Sequence, residues 1–495
     1  MNLGIAPPLP RPEYVSSPEV YHSALAWSLV AERHKKALLP PTAKSPQRVG
    51  AGAASKVVGV VFKDETPPEK EPRNVALVRT YPSGALAEPW AASLADYGLS
   101  SRSARLGEAV ADAMLGVAPE KSLSRSAVPL TCHSALLQNP YGALRKAGPP
   151  PLAGILEAIF AIGGGDERGV ASRWREAMEV RQAESPVLRS IDRAVKSTLV
   201  TPLFDPSAMA DGSELLLDDL VPLSDDRRNE AQEWARLLGD DTPFAWFRDA
   251  WSLLTSNEWS QQLPPRVWVD WASTVIRTAV ACAYLWEAAW LERLAMSALD
   301  MGADGPMTYA ELASDMGELV PWRRAAESVP IRDVVSPLRR RVHRGAAIRS
   351  HVQPGGAKGD LLSLDEFFWK AKEEGYRRGL RGALRSEKKT LVWEAVRYGL
   401  STRGTGDRGV DFYGLLHNRG SRYAVVDPGT EWTALMVALA CGRPGAETTV
   451  SVLRRQLHRL GLRPELQELV ALLERAGLAR GNADADEAVV IRSPF

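Results

Sequence analysis

Along most of this chain, apolar side chains recur at three- and four-residue steps, the period of a helix that buries one face. Residues 102–115 place Leu106, Ala109, Val110, Ala113 and Met114 on one side of such a helix. Residues 152–162 are apolar and end at Gly163-Gly164-Gly165, which reads as a helix stop and not as a nucleotide cradle. Residues 169–183 and 186–199 predict two further short helices. The longest periodic run is 267–299, where Trp268, Trp271, Val275, Ala279, Cys282, Trp286 and Trp290 share a wide apolar stripe. One helix of that length would be ~50 Å long and would form the spine of a helical domain. Two helices with an inconspicuous break between them are the alternative.

The N-terminal part follows a different pattern. Residues 1–75 contain eleven prolines, which disfavour long elements. A short helix over 18–36 precedes two β-branched runs, 56–62 and 75–79, which predict short strands. Past residue 360, residues 365–385 and 388–400 read as helices. A strand over 422–426 then leads to helices over 431–440, 449–460 and 464–476. Residues 478–482 and 488–492 predict a hairpin. The fold class expected is mainly α and multi-domain, in five segments. These are a Pro-rich segment with short strands (1–84), a helical domain (85–204), an acidic Trp-rich helical domain (205–320), a basic helical and loop segment (321–410) and a C-terminal domain (411–495).

Composition narrows the class. Of 495 residues, 45% are hydrophobic and 24% charged, an ordinary globular balance. Cys132, Cys282 and Cys441 are far apart and odd in number, which implies no disulfide framework and a reducing compartment. No secretory signal pattern opens the chain, and charges interrupt the most apolar segment, so a cytoplasmic protein with no membrane partner is expected. The Ala/Arg/Gly bias points to a high-GC bacterium.

Charge changes the picture most. The formal net charge is +1, which excludes a uniformly basic nucleic-acid coat or an acidic tail protein. Resolved along the chain, however, residues 205–260 carry thirteen acidic and four basic side chains, and residues 321–410 carry ten acidic and twenty basic ones. Eight of the fifteen tryptophans fall between Trp234 and Trp290, which makes the acidic stretch a candidate partner-docking surface. The basic stretch is a candidate nucleic-acid contact, because Trp322, Phe367, Phe368, Trp369, Tyr376, Trp393 and Tyr398 interleave with its cations. Cations on phosphate and aromatics under bases give sequence-tolerant binding. The candidate residues are Arg339, Arg340, Arg341, Arg344, Arg377, Arg378, Arg381, Arg385, Lys388 and Lys389, with Arg454 and Arg455 farther on. Two plainer readings stand beside this: the aromatics are helix core under a solvated cationic face, or the basic stretch docks on the chain's own acidic one.

Helix, helix, tight turn, helix, hairpin over residues 431–492 resembles the winged-helix superfamily in element order. The 460–478 stretch, LGLRPELQELVALLERAGL, carries the resemblance, which covers about an eighth of the chain. It implies a C-terminal winged-helix-like domain, a fold that commonly binds DNA with its third helix in the major groove. Here that helix carries Glu465, Glu468 and Glu474 against Arg475, which favours protein contact or a capping role. The second helix, with Arg454, Arg455, His458 and Arg459, is better suited to phosphate.

Catalytic motifs are sparse. Residues 50–56 lack the Gly-Lys-Ser/Thr of a phosphate loop. His34-Lys35-Lys36 has no suitably placed Asp after it. Cys132 and His133 are adjacent, so their side chains diverge in a regular element. Glu387-Lys388-Lys389 with Asp360 and Asp365 upstream outlines a metal-dependent nuclease, but on a helical pattern where that fold needs a strand. The sequence therefore predicts a non-catalytic, nucleic-acid-binding subunit of a bacterial DNA-processing or antiviral-defence complex. It would need no cofactor or metal, take DNA in preference to RNA, and work beside an ATPase or nuclease. The alternatives are a protein-interaction scaffold without nucleic acid and an unrecognised metal-dependent nuclease.

Overall fold

The computed structural model describes residues 3–12, 19–33, 128–135, 152–198, 225–300, 307–314, 316–322, 333–353, 361–401, 413–419, 423–480 and 489–495. Seventeen helices and five short strands lie among them, so the chain is mainly α as its periodicity predicts. In chain order they are α1 (Glu19–Arg33), α2 (Cys132–Ala135), α3 (Leu152–Ile162), α4 (Gly169–Glu184), α5 (Pro186–Thr198), α6 (Asp225–Leu238), α7 (Pro243–Leu254), α8 (Asn257–Gln262), α9 (Pro265–Leu299), α10 (Tyr309–Ala313), α11 (Val335–Val352), α12 (Leu364–Lys370), α13 (Glu374–Leu384), α14 (Leu391–Leu400), β1 (Leu416–Arg419), β2 (Tyr423–Val426), α15 (Thr430–Cys441), β3 (Glu447–Thr449), α16 (Val450–Arg459), α17 (Leu466–Arg475), β4 (Ala479–Arg480) and β5 (Val490–Arg492). The strands expected over 56–62 and 75–79 and the helix over 102–115 lie outside the described residues.

The tryptophan stripe belongs to one unbroken helix. Pro264 and Pro265 open α9, where a missing N–H costs nothing, and 35 residues follow without interruption. From Trp268 to Leu291 all but one residue, Asp270, are buried, including Ala272, Ile276, Val280 and Ala283 between the stripe positions. A helix apolar all round is a core helix, and α9 packs against α3, α7, α11, α13 and α14. Trp286 stacks on Trp290 at 5.2 Å, and Trp234 of α6 meets Trp290 edge-on at 5.4 Å. Indole N–H groups tie distant segments together: Trp251 Nε1 donates to Val170 O, Trp268 Nε1 to Leu254 O and Trp290 Nε1 to Ile5 O. These three buried indoles thus combine large apolar area with a satisfied donor.

Two glycines set how closely helices approach α9. A Cβ at Gly345 of α11 would lie 2.6 Å from the Ala288 Cα, and one at Gly399 of α14 would lie 2.6 Å from the Arg277 carbonyl oxygen. Arg277, itself buried, donates from Nε to Gly399 O at 3.1 Å and from Nη2 to Tyr398 O and Ser401 O. It thereby serves carbonyls that the last turn of α14 leaves without intrahelical donors.

Residues 3–12 form a strap and not a loose leader. Ile5, Ala6 and Leu9 are buried. Ile5 N donates to Leu362 O, Tyr284 Oη donates to Pro10 O, and Arg349 Nη2 donates to Leu9 O at 2.9 Å. Prolines suit this path because the strap is extended and held by its carbonyls, which proline keeps.

One expected helix is two. The run 365–385 breaks into α12 and α13 at residues 371–373. Ser363 and Glu366 form a reciprocal capping box that starts α12, and Glu373 starts α13 on a new axis. Helix α14 begins at Leu391 and not at Lys388, because Thr390 caps it by accepting from Trp393 N at 3.3 Å. The lysine pair consequently sits on an extended connection.

At the C-terminus the order is α15, β3, α16, α17, β4, β5, with the strands in the spatial order β3-β5-β4, all antiparallel. Ala479 pairs with Ile491 and Thr448 with Ile491 from the other side. Strand β3 was not expected; residues 447–449 are too short and polar to carry a strand signal of their own. Trp259 Nε1 donates to Gly442 O at 3.1 Å, and Phe495 packs edge-on against Trp271 at 5.4 Å, which seats this unit on α8 and α9.

Candidate nucleic-acid interface

Helices α11 and α13 run antiparallel. His351, near the end of α11, packs its ring 4.4 Å from that of Tyr376 at the start of α13. His343, in the middle of α11, hydrogen-bonds the backbone of Glu387 just beyond the end of α13. The connection 386–390 then leads into α14. The packing of α11 against α13 thus brings the 386–390 connection beside the middle of α11.

The structure divides the twelve predicted cations by what they do. Arg341 and Arg344 both pair with Glu292 of α9 at 3.5 Å, and Arg341 also donates to Glu318 O and Leu319 O. Arg377 donates to Leu299 O at 2.7 Å and pairs with Glu374. Arg381 pairs with Glu374 at 2.6 Å but keeps an exposed side chain. These four hold the fold as well as charging it. Arg339, Arg340, Arg378, Arg385, Lys388 and Lys389 are exposed, and no ion pair among the described residues holds any of them. Arg378, Arg381 and Arg385 follow at three- and four-residue steps along one stripe of α13. Two large aromatics of the segment stand in the open: Trp369 of α12 is 64% exposed and Tyr398 of α14 37%. Of the other aromatics of the segment, Trp322, Phe367, Phe368 and Trp393 are core and Tyr376 is half-buried.

The ion pairs described here do not join the acidic block to the basic one. Asp249 pairs with Arg248 on its own helix and with Arg459 of α16, and Asp240 pairs with Arg248. The basic block meets Glu287 and Glu292 of the spine instead.

A cleft of about 340 Å³ opens beside the lysine pair. Its walls include Pro10 and Pro12 of the strap, Val342 and Ala346 of α11, and Leu391 and Val392 of α14. Lys388, Lys389 and Arg11 stand at it, with Arg349 and His343 deeper. Arg349 pairs with Glu287, and burial lowers its pKa to about 10. His343 is 5% exposed; burial, with Arg339 nearby, lowers its pKa, so the ring is neutral at pH 7. Its Nε2 is buried and has no hydrogen-bond partner among the described residues. Sequence reasoning did not assign Arg11 or Arg349 to the site, because they lie on the strap and deep on α11, and only folding brings them to the lysines.

Arg454 and Arg455 lie apart from this face. With Ser451, His458 and Leu466 they border a small cavity of about 220 Å³ between α16 and α17. On α17, Glu465 and Glu474 are exposed and Glu468 partly so.

A second cavity, about 400 Å³, brings together residues the sequence left scattered. His133 Nδ1 lies 2.8 Å from Asp192 Oδ2, and His133 N donates to Asp192 Oδ1. Burial works to raise the Asp192 carboxyl, but hydrogen bonds from His133 and Thr131 outweigh it and hold its pKa below the usual range. Cys132 borders the same cavity, yet burial with Asp192 and Glu179 nearby pushes its thiol up to about 12. That is the opposite of an activated nucleophile. Among the described residues no group of three His, Cys, Asp or Glu side chains is placed to hold a metal. Of the nuclease outline, Asp365 starts α12, Glu387 is exposed on the connection, and Asp360 lies outside the described residues.

No family model matches the chain, and no curated protein matches it. Among the described residues no helix is long and apolar enough to cross a membrane.

Proposed function

We propose that the protein is a non-catalytic, nucleic-acid-binding subunit of a bacterial DNA-processing or antiviral-defence complex, and that the face built by α11, α13, the 386–390 connection and α14 is its contact. The observation that carries this is the set of six exposed cations that no ion pair among the described residues holds, with Trp369 and Tyr398 exposed in the same segment. Exposed cations on packed helices attract a polyanion, and exposed aromatics can supply stacking. The C-terminal unit is read as a winged helix, supported by its order α-β-α-α-β-β and its three-stranded sheet. Its α17 carries exposed carboxylates, so its role is contact with a partner subunit.

The test is salt-dependent binding of duplex and single-stranded DNA to the full chain. Affinity should fall linearly on a log–log plot against salt. Arg339→Glu/Arg340→Glu together with Lys388→Glu/Lys389→Glu should weaken binding and flatten the slope by roughly 3, near 0.7–0.9 per lost phosphate contact. Unchanged binding by the quadruple variant overturns the assignment of this face.

A further inference from the structure

We infer that the cleft between the strap, α11 and the start of α14 seats one unstacked nucleotide of a single strand, its phosphate on Lys388 and Lys389 and its base against the apolar wall. This rests on the nucleic-acid reading above and says which form of nucleic acid the face takes.

Shape comes first. A concave site of about 340 Å³ lies at the low end of the size that encloses a small organic molecule, roughly 300–1,000 Å³. A base inside a duplex cannot enter such a site, whereas a base on a single strand is free to turn in. The walls suit a flat, weakly polar ring: Pro10, Pro12, Val342, Ala346, Leu391 and Val392 present mainly carbon. Leu391 is 49% exposed at the start of α14, so apolar area there faces solvent with nothing from the described chain covering it.

Charge complementarity decides what the ring is attached to. Lys388, Lys389 and Arg11 are exposed at the cleft and free of ion pairs among the described residues. Thr390, Leu391 and Val392 bring the N-terminal end of α14 to the same place, and its dipole favours an anion. The acidic group inside the cleft, Glu287, is neutralised by Arg349, and Glu387 is exposed toward solvent. The balance left for a ligand is cationic beside an apolar surface, which is the division within a nucleotide.

His343 adds a polar contact. One ring nitrogen serves the Glu387 backbone, and Nε2 is buried without a hydrogen-bond partner. A neutral ring that donates through Nδ1 accepts at Nε2. An O–H or N–H of a sugar or base is the matching group.

The experiment uses the full chain and three fluorescent probes: a 20-nucleotide single-stranded DNA, the same strand with abasic residues throughout, and a blunt duplex of equal length. The intact strand should bind about tenfold tighter than the abasic one, since a base stacked against an apolar wall adds affinity that a bare sugar cannot. Ala346→Phe fills the cleft without changing charge and should cut that difference several-fold, leaving only what Trp369 and Tyr398 contribute by stacking, with abasic and duplex binding in place. Leu391→Ser, at a half-exposed position that folding tolerates, should reduce it several-fold. Lys388→Glu/Lys389→Glu should weaken all three probes. Base discrimination undiminished by both Ala346→Phe and Leu391→Ser overturns the seat, as does equal binding of the intact and abasic strands by the unmodified chain. If no probe binds at low salt, the nucleic-acid reading itself fails.

Discussion

Arg459 of α16 donates from Nη2 to Asp249 Oδ2 of α7 at 2.7 Å, across 210 positions of sequence. The same guanidinium donates from Nε to Asp240 O at 2.9 Å, and its residue is only 9% exposed. One arginine thus fastens the C-terminal unit to the tryptophan-rich core. The sequence grouped it with Arg454 and Arg455 as a cation for phosphate; burial gives it a different task.

Replacing Arg459 with Ala should therefore destabilise the chain without altering the salt slope of DNA binding. Asp249 is half exposed and retains Arg248, so screening limits the loss to about 1–2 kcal/mol. Urea denaturation followed by tryptophan fluorescence reads this. A reduced salt slope at unchanged stability would contradict the structural role.

Gly345 faces Ala288 where α11 crosses the spine. Gly345→Ala puts a methyl 2.6 Å from both the Ala288 Cα and Cβ, and two helix axes must separate to admit it. The expected cost is about 1–3 kcal/mol, although alanine is the better helix former. Gly375, on the exposed side of α13, has nothing within 4 Å of a built Cβ. Gly375→Ala should accordingly be neutral or slightly stabilising. Thermal melts of the pair separate packing from propensity.

His22 is fully buried, with Nε2 3.0 Å from Ser273 Oγ, and burial lowers its pKa to about 4. In the unfolded chain the ring titrates near 6.5. The folded state therefore holds the neutral form, and its stabilising contribution is complete above pH 6.5. As pH falls from 6.5 to 4 the unfolded state takes up the proton first, and about 3 kcal/mol is lost. His22→Gln, which keeps a hydrogen-bonding group but cannot titrate, should flatten stability across that window. The readout is the denaturation midpoint at a series of pH values.

All three thiols are raised by burial: Cys132 and Cys282 to about 12 and Cys441 to about 11. Only the thiolate alkylates, so at pH 8 the folded protein should react with iodoacetamide more slowly than the unfolded chain by a factor of roughly 100 or more. Fast labelling of Cys132 in the folded protein would show that its cavity activates it, and would reopen a catalytic reading of Cys132, His133 and Asp192.

The helices were legible wherever one element explains its own residues. The residues 152–162 helix and the C-terminal helices follow from local periodicity, because burying an apolar stripe depends only on side-chain order along the chain; for the spine, periodicity left one helix or two open, and only the fold shows it unbroken and buried all round. Strand β3 was not legible, since residues 447–449 become a strand by pairing with β5 and not by composition. Nor was the break at residues 371–373, where the capping box at Ser363 and a second start at Glu373 outweigh a continuous periodic pattern.

The sequence by itself determined that this is a mainly helical chain with two opposed charge blocks; propensity, periodicity and charge are properties of neighbours along the chain. The tryptophans from Trp234 to Trp290 that made the acidic stretch a candidate docking surface are all buried in the core and offer no partner a face. Only the tertiary structure decided which cations are available to a partner. Arg341, Arg344 and Arg349 reach buried or half-buried carboxylates on α9, whereas Arg339, Arg340, Lys388 and Lys389 point into solvent. The reason is physical: a formal charge is the same wherever it stands, but its energy depends on the distance to an opposite charge and on burial, and both are set by contacts between residues far apart in sequence.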